Sequence, residues 1–306
     1  MPAEPPAVIA LRDLTKRYGR TVAIRDLSLD VRSGEIFGFL GLNGAGKTTT
    51  IRILLDLLRP TAGRASVLGR DCQADGLSVR AAIGYLPGEI SLYQDLTGRR
   101  VLDLLARLSS TPVSADYQRQ LLERFELSEV DLGRRLREYS TGMKRKLGIV
   151  QAFQADPALL ILDEPTEGLD PLMQEAFYEL LGEVRSRGRT VFMSSHVLSE
   201  VERVCGRIAV LRKGELAVVA TVDEIRHRAP RRVDVLFVAD VPPPSSFPTT
   251  AGLEVTAVNP RCWALRVRGP LGPLLARLGS LPVLDLKVEE PKLEDVVIDF
   301  YREGRS

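Results

Sequence analysis

The sequence predicts an α/β chain, with antiparallel strands first, a parallel core split by a helical insertion next, and a small α+β unit last. Three observations carry this reading. Apolar runs at 35–40 (EIFGFL), 159–163 (LLILD) and 190–195 (TVFMSS) alternate with stretches spaced for helices, which implies parallel pairing. Residues 92–154 read as mostly helical, because VLDLLARL and YQRQLLERFEL carry apolar positions three and four apart. After Ile225 the composition shifts to short alternating runs separated by prolines.

Residues 8–14 and 23–31 alternate apolar with polar positions, the pattern of half-buried strands. The run at 35–40 is continuously apolar, ends in a Gly-rich loop and leads into helical spacing over 48–58, so a buried strand enters a helix there. Past the helical insertion, placed at 90–155, helices near 171–186 and 197–205 flank the strand TVFMSS, and RIAVLRKG at 207–214 adds another strand. Beyond Ile225, RVDVLFVAD, LEVTAVN, CWALRVRG and VLDLKVE read as strands, with PLLARLGS and a last LEDVVIDFYREG as helices. The expected domains are therefore 1–224 and 225–306.

The 306 residues are 44% hydrophobic and 27% charged, an ordinary globular composition. With 42 basic against 40 acidic side chains, the charge balance implies no nucleic-acid partner. Cys72, Cys205 and Cys262 are far apart and belong to no metal-ligand cluster, so they are expected as buried thiols in a reducing compartment. The N-terminal stretch lacks a basic segment followed by an apolar one, and no later run approaches the ~18 apolar residues of a membrane span. The expectation is a cytoplasmic chain whose membrane role, if it has one, comes through a partner.

The strongest chemical signal is Gly41, Leu42, Asn43, Gly44, Ala45, Gly46, Lys47 and Thr48, a complete GxxxxGK[ST] loop between the buried strand and its helix, followed by Thr49. Glycines let the amides turn inward as an anion nest, and the helix start adds its positive dipole end. Lys47 can reach terminal phosphates, and Thr48 offers a hydroxyl to Mg²⁺. A bland Gly-rich turn has no need of the Lys-Thr pair.

Asp163 and Glu164 end the strand LLILD. Adjacent acids at a buried strand tip are costly unless a cation or substrate uses them. Taken alone, they are as compatible with a solvated strand end; with the phosphate loop upstream, Asp163 is the expected Mg²⁺ partner and Glu164 the group that polarises the attacking water.

At Tyr139-Ser140-Thr141-Gly142-Met143-Lys144 the chain resembles the ATP-binding cassette family, whose LSGGQ-like signature stands at this place before a helix. An ordinary Ser N-cap is the competing reading. The resemblance implies that Ser140, Thr141, Gly142 and Met143 meet the nucleotide of a second copy. It continues in Gly168-Leu169-Asp170, similar to the family's loop at the dimer seam, and in His196, similar to its switch histidine. Tyr18 resembles the aromatic residue that stacks on adenine. His227, among arginines in a linker, reads as solvated.

One departure stands out. Where the family carries a Gln that bonds Mg²⁺, the sequence reads Ile83-Gly84-Tyr85-Leu86-Pro87-Gly88-Glu89, with Gly88 at the expected position. Glu89 or Gln94 substitutes, or water completes the metal shell; the sequence leaves these open. The resemblance implies the P-loop cassette fold, ATP and Mg²⁺ as cofactors, catalytic roles for Lys47, Glu164 and His196, a homodimer, and separate transmembrane permease subunits at the inner face of the membrane. YLPGE, STGMK and a C-terminal extension resemble exporter-type cassettes of drug and antibiotic-resistance systems. An importer ATPase and an ATP-binding regulatory module are the alternatives. Retention of Lys47, Asp163, Glu164 and His196 together speaks against a silent module, and a sugar or nucleoside kinase leaves STGMK and GLD without explanation.

Overall fold

The computed structural model describes residues 6–90, 93–228, 230–242 and 253–289. The chain divides into two compact units, residues 1–220 and 221–306.

The first unit opens with β1 (Ala7–Tyr18) and β2 (Thr21–Arg32), paired antiparallel around Gly19. Both run longer than the alternating pattern indicated. The reason is irregular register: Asp13 and Asp26 sit in the left-handed region, at φ of 49° and 45°, and the pairing shifts beside them, so alternation breaks while the ladder continues. Next comes β3 (Ile36–Leu40), buried at every position, which feeds α1 (Lys47–Leu54). This helix stops four residues before the expected 58, because the chain turns out at Asp56 with φ 52°. β4 (Ala62–Val67) and β5 (Arg70–Asp71) complete a four-stranded sheet in the order β2-β1-β4-β5.

After α2 (Gly76–Ala82) and β6 (Ile83–Leu86) the chain is helical: α3 (Gly98–Leu108), α4 (Ala115–Arg124), α5 (Glu129–Gly133), a 3-10 turn (Leu136–Glu138) and α6 (Thr141–Phe153). Strands and helices then alternate as β7 (Leu159–Asp163), α7 (Pro171–Ser186), β8 (Thr190–Ser195), α8 (Leu198–Val204), β9 (Arg207–Arg212) and β10 (Glu215–Thr221). The second sheet has the order β10-β9-β3-β8-β7-β6, and β3, β6, β7, β8 and β9 pair in parallel. Its strands β3, β7 and β8 are buried at every position, which is why they read as continuous apolar runs. Phe192 packs against Phe37 and Phe39, with ring centroids 6.0 and 5.2 Å apart. Parallel pairing puts the C-terminal ends of β3, β6, β7 and β8 along one edge, where ligands bind in open α/β sheets.

The second unit contains α9 (Val222–Arg228), β11 (Arg231–Phe237), β12 (Leu253–Asn259), β13 (Cys262–Val267), α10 (Gly272–Leu278) and β14 (Val283–Glu289). Its antiparallel sheet runs β12-β13-β11-β14, with a core built around Trp263, whose ring meets Phe237 edge-on at 4.7 Å. The helix expected at 293–304 and most of the Pro-rich VPPPSS lie outside the described residues, as does the side chain of His227. Among the described residues no helix is long and apolar enough to cross a membrane.

Candidate active site

Backbone geometry builds the site first. The loop after β3 needs glycine twice for steric reasons: a Cβ on Gly41 would lie 2.8 Å from the Leu211 carbonyl oxygen, and one on Gly46 only 2.7 Å from that of Ala23, with φ at 110°. Gly46 stands at the N-terminus of α1, so the loop closes tightly onto the helix start.

Leu42, Asn43, Gly44, Gly46, Lys47, Thr48 and Thr49 line an open pocket of 610 Å³ with Asp163 and Glu164. Gly41 and Ala45 belong to the loop without lining the pocket. Lys47 is buried, and its Nζ donates to the Gly41 carbonyl at 2.5 Å and pairs with Glu164 Oε1 at 3.2 Å. Asp163, 2% exposed, accepts from Thr48 Oγ1 at 3.1 Å through one carboxylate oxygen and from Ser194 Oγ at 2.5 Å through the other.

This donor set fits a small divalent cation. Oxygens bound side by side on Mg²⁺ at its usual bond length lie about 2.9 Å apart, close to the Thr48–Asp163 separation. Among the described residues no group of three or more His, Cys, Asp or Glu gathers, so water and phosphate oxygens would supply the other ligands, as this cation prefers.

Glu164 sits in the left-handed region at φ 48°, and its N–H points at Ser194, 3.2 Å from both the hydroxyl and the carbonyl oxygen. That turn aims its carboxylate between two partners, Lys47 on Oε1 and His196 on Oε2, the latter at 2.8 Å from Nδ1. His196 follows Ser195 at the end of β8. Ser195 Oγ donates to Glu200 at 3.0 Å, and Thr166 Oγ1 donates to the other oxygen of the same carboxylate at 2.5 Å. Glu200 thereby clips the histidine turn to the turn after Glu164.

Other expected residues lie apart. Tyr18, Ser140, Thr141, Gly142, Met143 and Asp170 do not line the pocket. Tyr18 is 49% exposed, with Lys16 Nζ 5.2 Å from its ring centre. Ser140 caps α6, accepting from the Met143 N–H at 3.2 Å, and Thr141 beside it is exposed. Asp170 caps α7 through Met173 N–H at 3.0 Å. Gly142 packs against the turn at Gly168: a Cβ there would lie 3.3 Å from the Gly168 carbonyl oxygen.

Position 88 faces Asp163, since a Cβ on Gly88 would sit 3.5 Å from its Oδ2. Of the two substitutes left open by the sequence, Glu89 lines the pocket and Gln94 does not; the Gln94 carbonyl instead accepts from Arg137 N–H at 3.0 Å.

Three participants were not singled out from the sequence. Ser194 touches both Asp163 and Glu164; two serines closing an apolar strand were the available signal. Tyr85 lines the pocket, and burial, then the Asp163 charge, push its phenol up to about 12 against Arg52, so it stays neutral. Arg145, within the run KRK, is buried and donates to the carbonyls of Pro87, Gly88 and Glu167. Burial pulls its pKa below the ordinary value, while Glu167, Asp163 and Glu164 act the other way.

A family profile described as ABC transporter matches residues 24–167. Over 230 residues the chain is 40% identical to an uncharacterized ABC transporter ATP-binding protein of Nostoc sp., covering 72% of this chain and 68% of that one. It is 39% identical over 226 residues to a daunorubicin resistance ATP-binding protein of Streptomyces coeruleorubidus, covering 72% and 71%. A bacitracin transport ATP-binding protein of Bacillus licheniformis is 36% identical over 222 residues, covering 72% of each. Among solved structures, an ATP binding subunit of an ABC transporter superimposes with TM-score 0.67 at 34% identity, covering 72% of this chain and 92% of that one. The phosphate loop after β3, the carboxylate pair at the end of β7 and these likenesses place the chain in the ABC transporter ATP-binding protein family, as an ATPase subunit with the P-loop cassette fold.

Proposed function

We propose that this subunit drives an exporter by binding and hydrolysing ATP between two copies of itself beneath separate permease subunits. The observation that carries the catalytic part is Glu164, which lines the phosphate-loop pocket and whose two oxygens meet Lys47 and His196. In this reading the loop amides of 41–48 and the start of α1 cradle the phosphates. Thr48 and Asp163 would hold Mg²⁺, which when bound neutralises phosphate charge. Lys47 takes the terminal phosphate, Glu164 orients or deprotonates water, and His196 holds the Glu164 carboxylate while meeting the γ-phosphate.

Dimerisation is supported by what the pocket lacks. Ser140 and Thr141 are exposed and Gly142 and Met143 half-buried at a helix start away from their own pocket, a placement suited to closing over the nucleotide of a second copy. Nucleotide then acts as glue, and hydrolysis releases the pair. The exporter reading is supported by relatives whose names specify daunorubicin resistance and bacitracin transport. In this reading residues 93–97, where Tyr93 is 72% exposed, contact a permease subunit, and that contact holds the chain at the inner membrane face.

The test is Mg²⁺-dependent ATP hydrolysis by the purified chain beside Lys47→Ala and Glu164→Gln, with mass in solution recorded with and without ATP. Both variants should lose turnover, and only Glu164→Gln should accumulate an ATP-dependent dimer. A Glu164→Gln chain that is monomeric and fully active would overturn the assignment.

A further inference from the structure

Pro87 and Gly88 form a loop with little to hold it. The ladder of β6 ends at Leu86, proline has no N–H to donate, and glycine has no side chain. Yet this loop lies directly against Asp163 and brings Glu89 into the pocket wall. Its two carbonyls are both held by one side chain. Arg145 Nη1 donates to Pro87 O at 2.9 Å and Nη2 to Gly88 O at 2.6 Å. Its Nε turns the other way, to Glu167 O at 2.9 Å, in the turn that follows Glu164.

Several features set this guanidinium apart from an ordinary surface arginine. Its side chain is 6% exposed, and the nearest carboxylate, Glu167, is 3.9 Å away and 66% exposed. The charge is therefore met mainly by carbonyl oxygens arranged to suit a planar fork, which a lysine cannot reproduce. The fork also spans two loops on one edge of the sheet, from a helix whose first turn begins at Ser140.

Position 88 itself is permissive. Gly88 lies outside the left-handed region, and an added Cβ meets nothing closer than the 3.5 Å contact with Asp163 Oδ2. A side chain could be accepted there and would point at that carboxylate. Glycine is thus not required by the backbone, and it leaves the loop no side chain at position 88 to anchor it from within.

We propose that Arg145 is a positioning residue: it seats the Gly88 loop on Asp163 through the backbone, supplying from outside the anchorage that a side chain at position 88 would give from inside. This rests on the active-site reading above. It assigns Arg145 no contact with nucleotide; the effect reaches the chemistry through the placement of Gly88 and Glu89.

The test compares the parent chain with Arg145→Lys, Arg145→Met, Gly88→Gln and the doubles carrying Gly88→Gln. Steady-state hydrolysis, the Mg²⁺ concentration for half-maximal rate and amide hydrogen exchange over residues 86–90 are measured in each. Arg145→Lys should raise exchange in the loop, lower kcat about tenfold or more and shift KM for ATP far less, as expected for misplaced groups rather than lost binding. Gly88→Gln added to either Arg145 variant should restore kcat and the Mg²⁺ requirement to within about threefold of the parent, a rescue that a general folding defect would not permit. Unchanged loop exchange in both Arg145 variants, or equal losses with and without Gln at 88, overturns the proposal. Hydrogen exchange reads loop seating even in a chain that does not hydrolyse ATP, so failure of the active-site reading, seen as a parent without turnover, is distinct from failure of this one.

Discussion

His196 approaches Glu164 twice: its ring Nδ1 lies 2.8 Å from Oε2, and its backbone N–H donates to the same oxygen at 3.3 Å. The backbone contact survives removal of the ring, so the two contributions can be separated. His196→Ala should keep Glu164 in place while deleting the group beyond it. Turnover is expected to fall about 10²-fold, with ATP affinity changed little because Lys47 and the loop amides are untouched. Single-turnover hydrolysis beside equilibrium nucleotide binding checks both halves.

The phosphate loop gives an internal control for backbone demands. Gly46→Ala forces a Cβ to 2.7 Å from the Ala23 carbonyl oxygen at φ 110°, whereas Gly44→Ala, at φ 80°, meets nothing within 4 Å. The first should destabilise the unit by about 2–3 kcal/mol and the second by about 1 kcal/mol. Urea midpoints of the two variants, compared at equal slope, decide this.

Asp163→Asn keeps the shape of a side chain that is 2% exposed and removes its charge. The fold should tolerate it, since a buried carboxylate becomes a neutral amide that still accepts from Thr48 or Ser194. The Mg²⁺ concentration needed for half-maximal turnover should rise about tenfold or more. An unchanged Mg²⁺ requirement would remove Asp163 from the metal site.

The thiols report on folding. Burial pushes the Cys72 thiol up to about 12, with Asp71 and Asp56 adding to it, and burial followed by Glu35 moves Cys205 in the same direction. At pH 8 neither has appreciable thiolate in the folded chain, so both should resist maleimide until the first unit unfolds. Cys262, only partly buried, should react first. Labelling counted by mass against urea concentration tests the order.

Much of the core was legible because its signals are strong and local. A continuously apolar strand, a glycine loop and a lysine at a helix start can be read together, and the same holds for the strand ending in Asp163 and Glu164. What escaped depends on contacts between distant segments. The register shifts at Asp13 and Asp26 leave no mark in an alternating pattern except its end. Arg145 looked like one charge in KRK, since its burial arises only when two loops separated by about 80 residues converge on α6. That Glu89 lines the pocket and Gln94 does not depends on which way the chain turns after Gly88.

The left-handed turn at Glu164 has an evolutionary reading. A glutamate held at φ 48° costs about 1 kcal/mol relative to a glycine, whose backbone adopts that region freely. Selection for stability alone would therefore favour glycine or asparagine at this position, and only the proposed chemistry of the carboxylate opposes that drift. Among related chains, those that have abandoned hydrolysis but kept the fold should be the ones in which the glutamate has relaxed to a turn-forming residue, making this single site a record of which descendants remain enzymes.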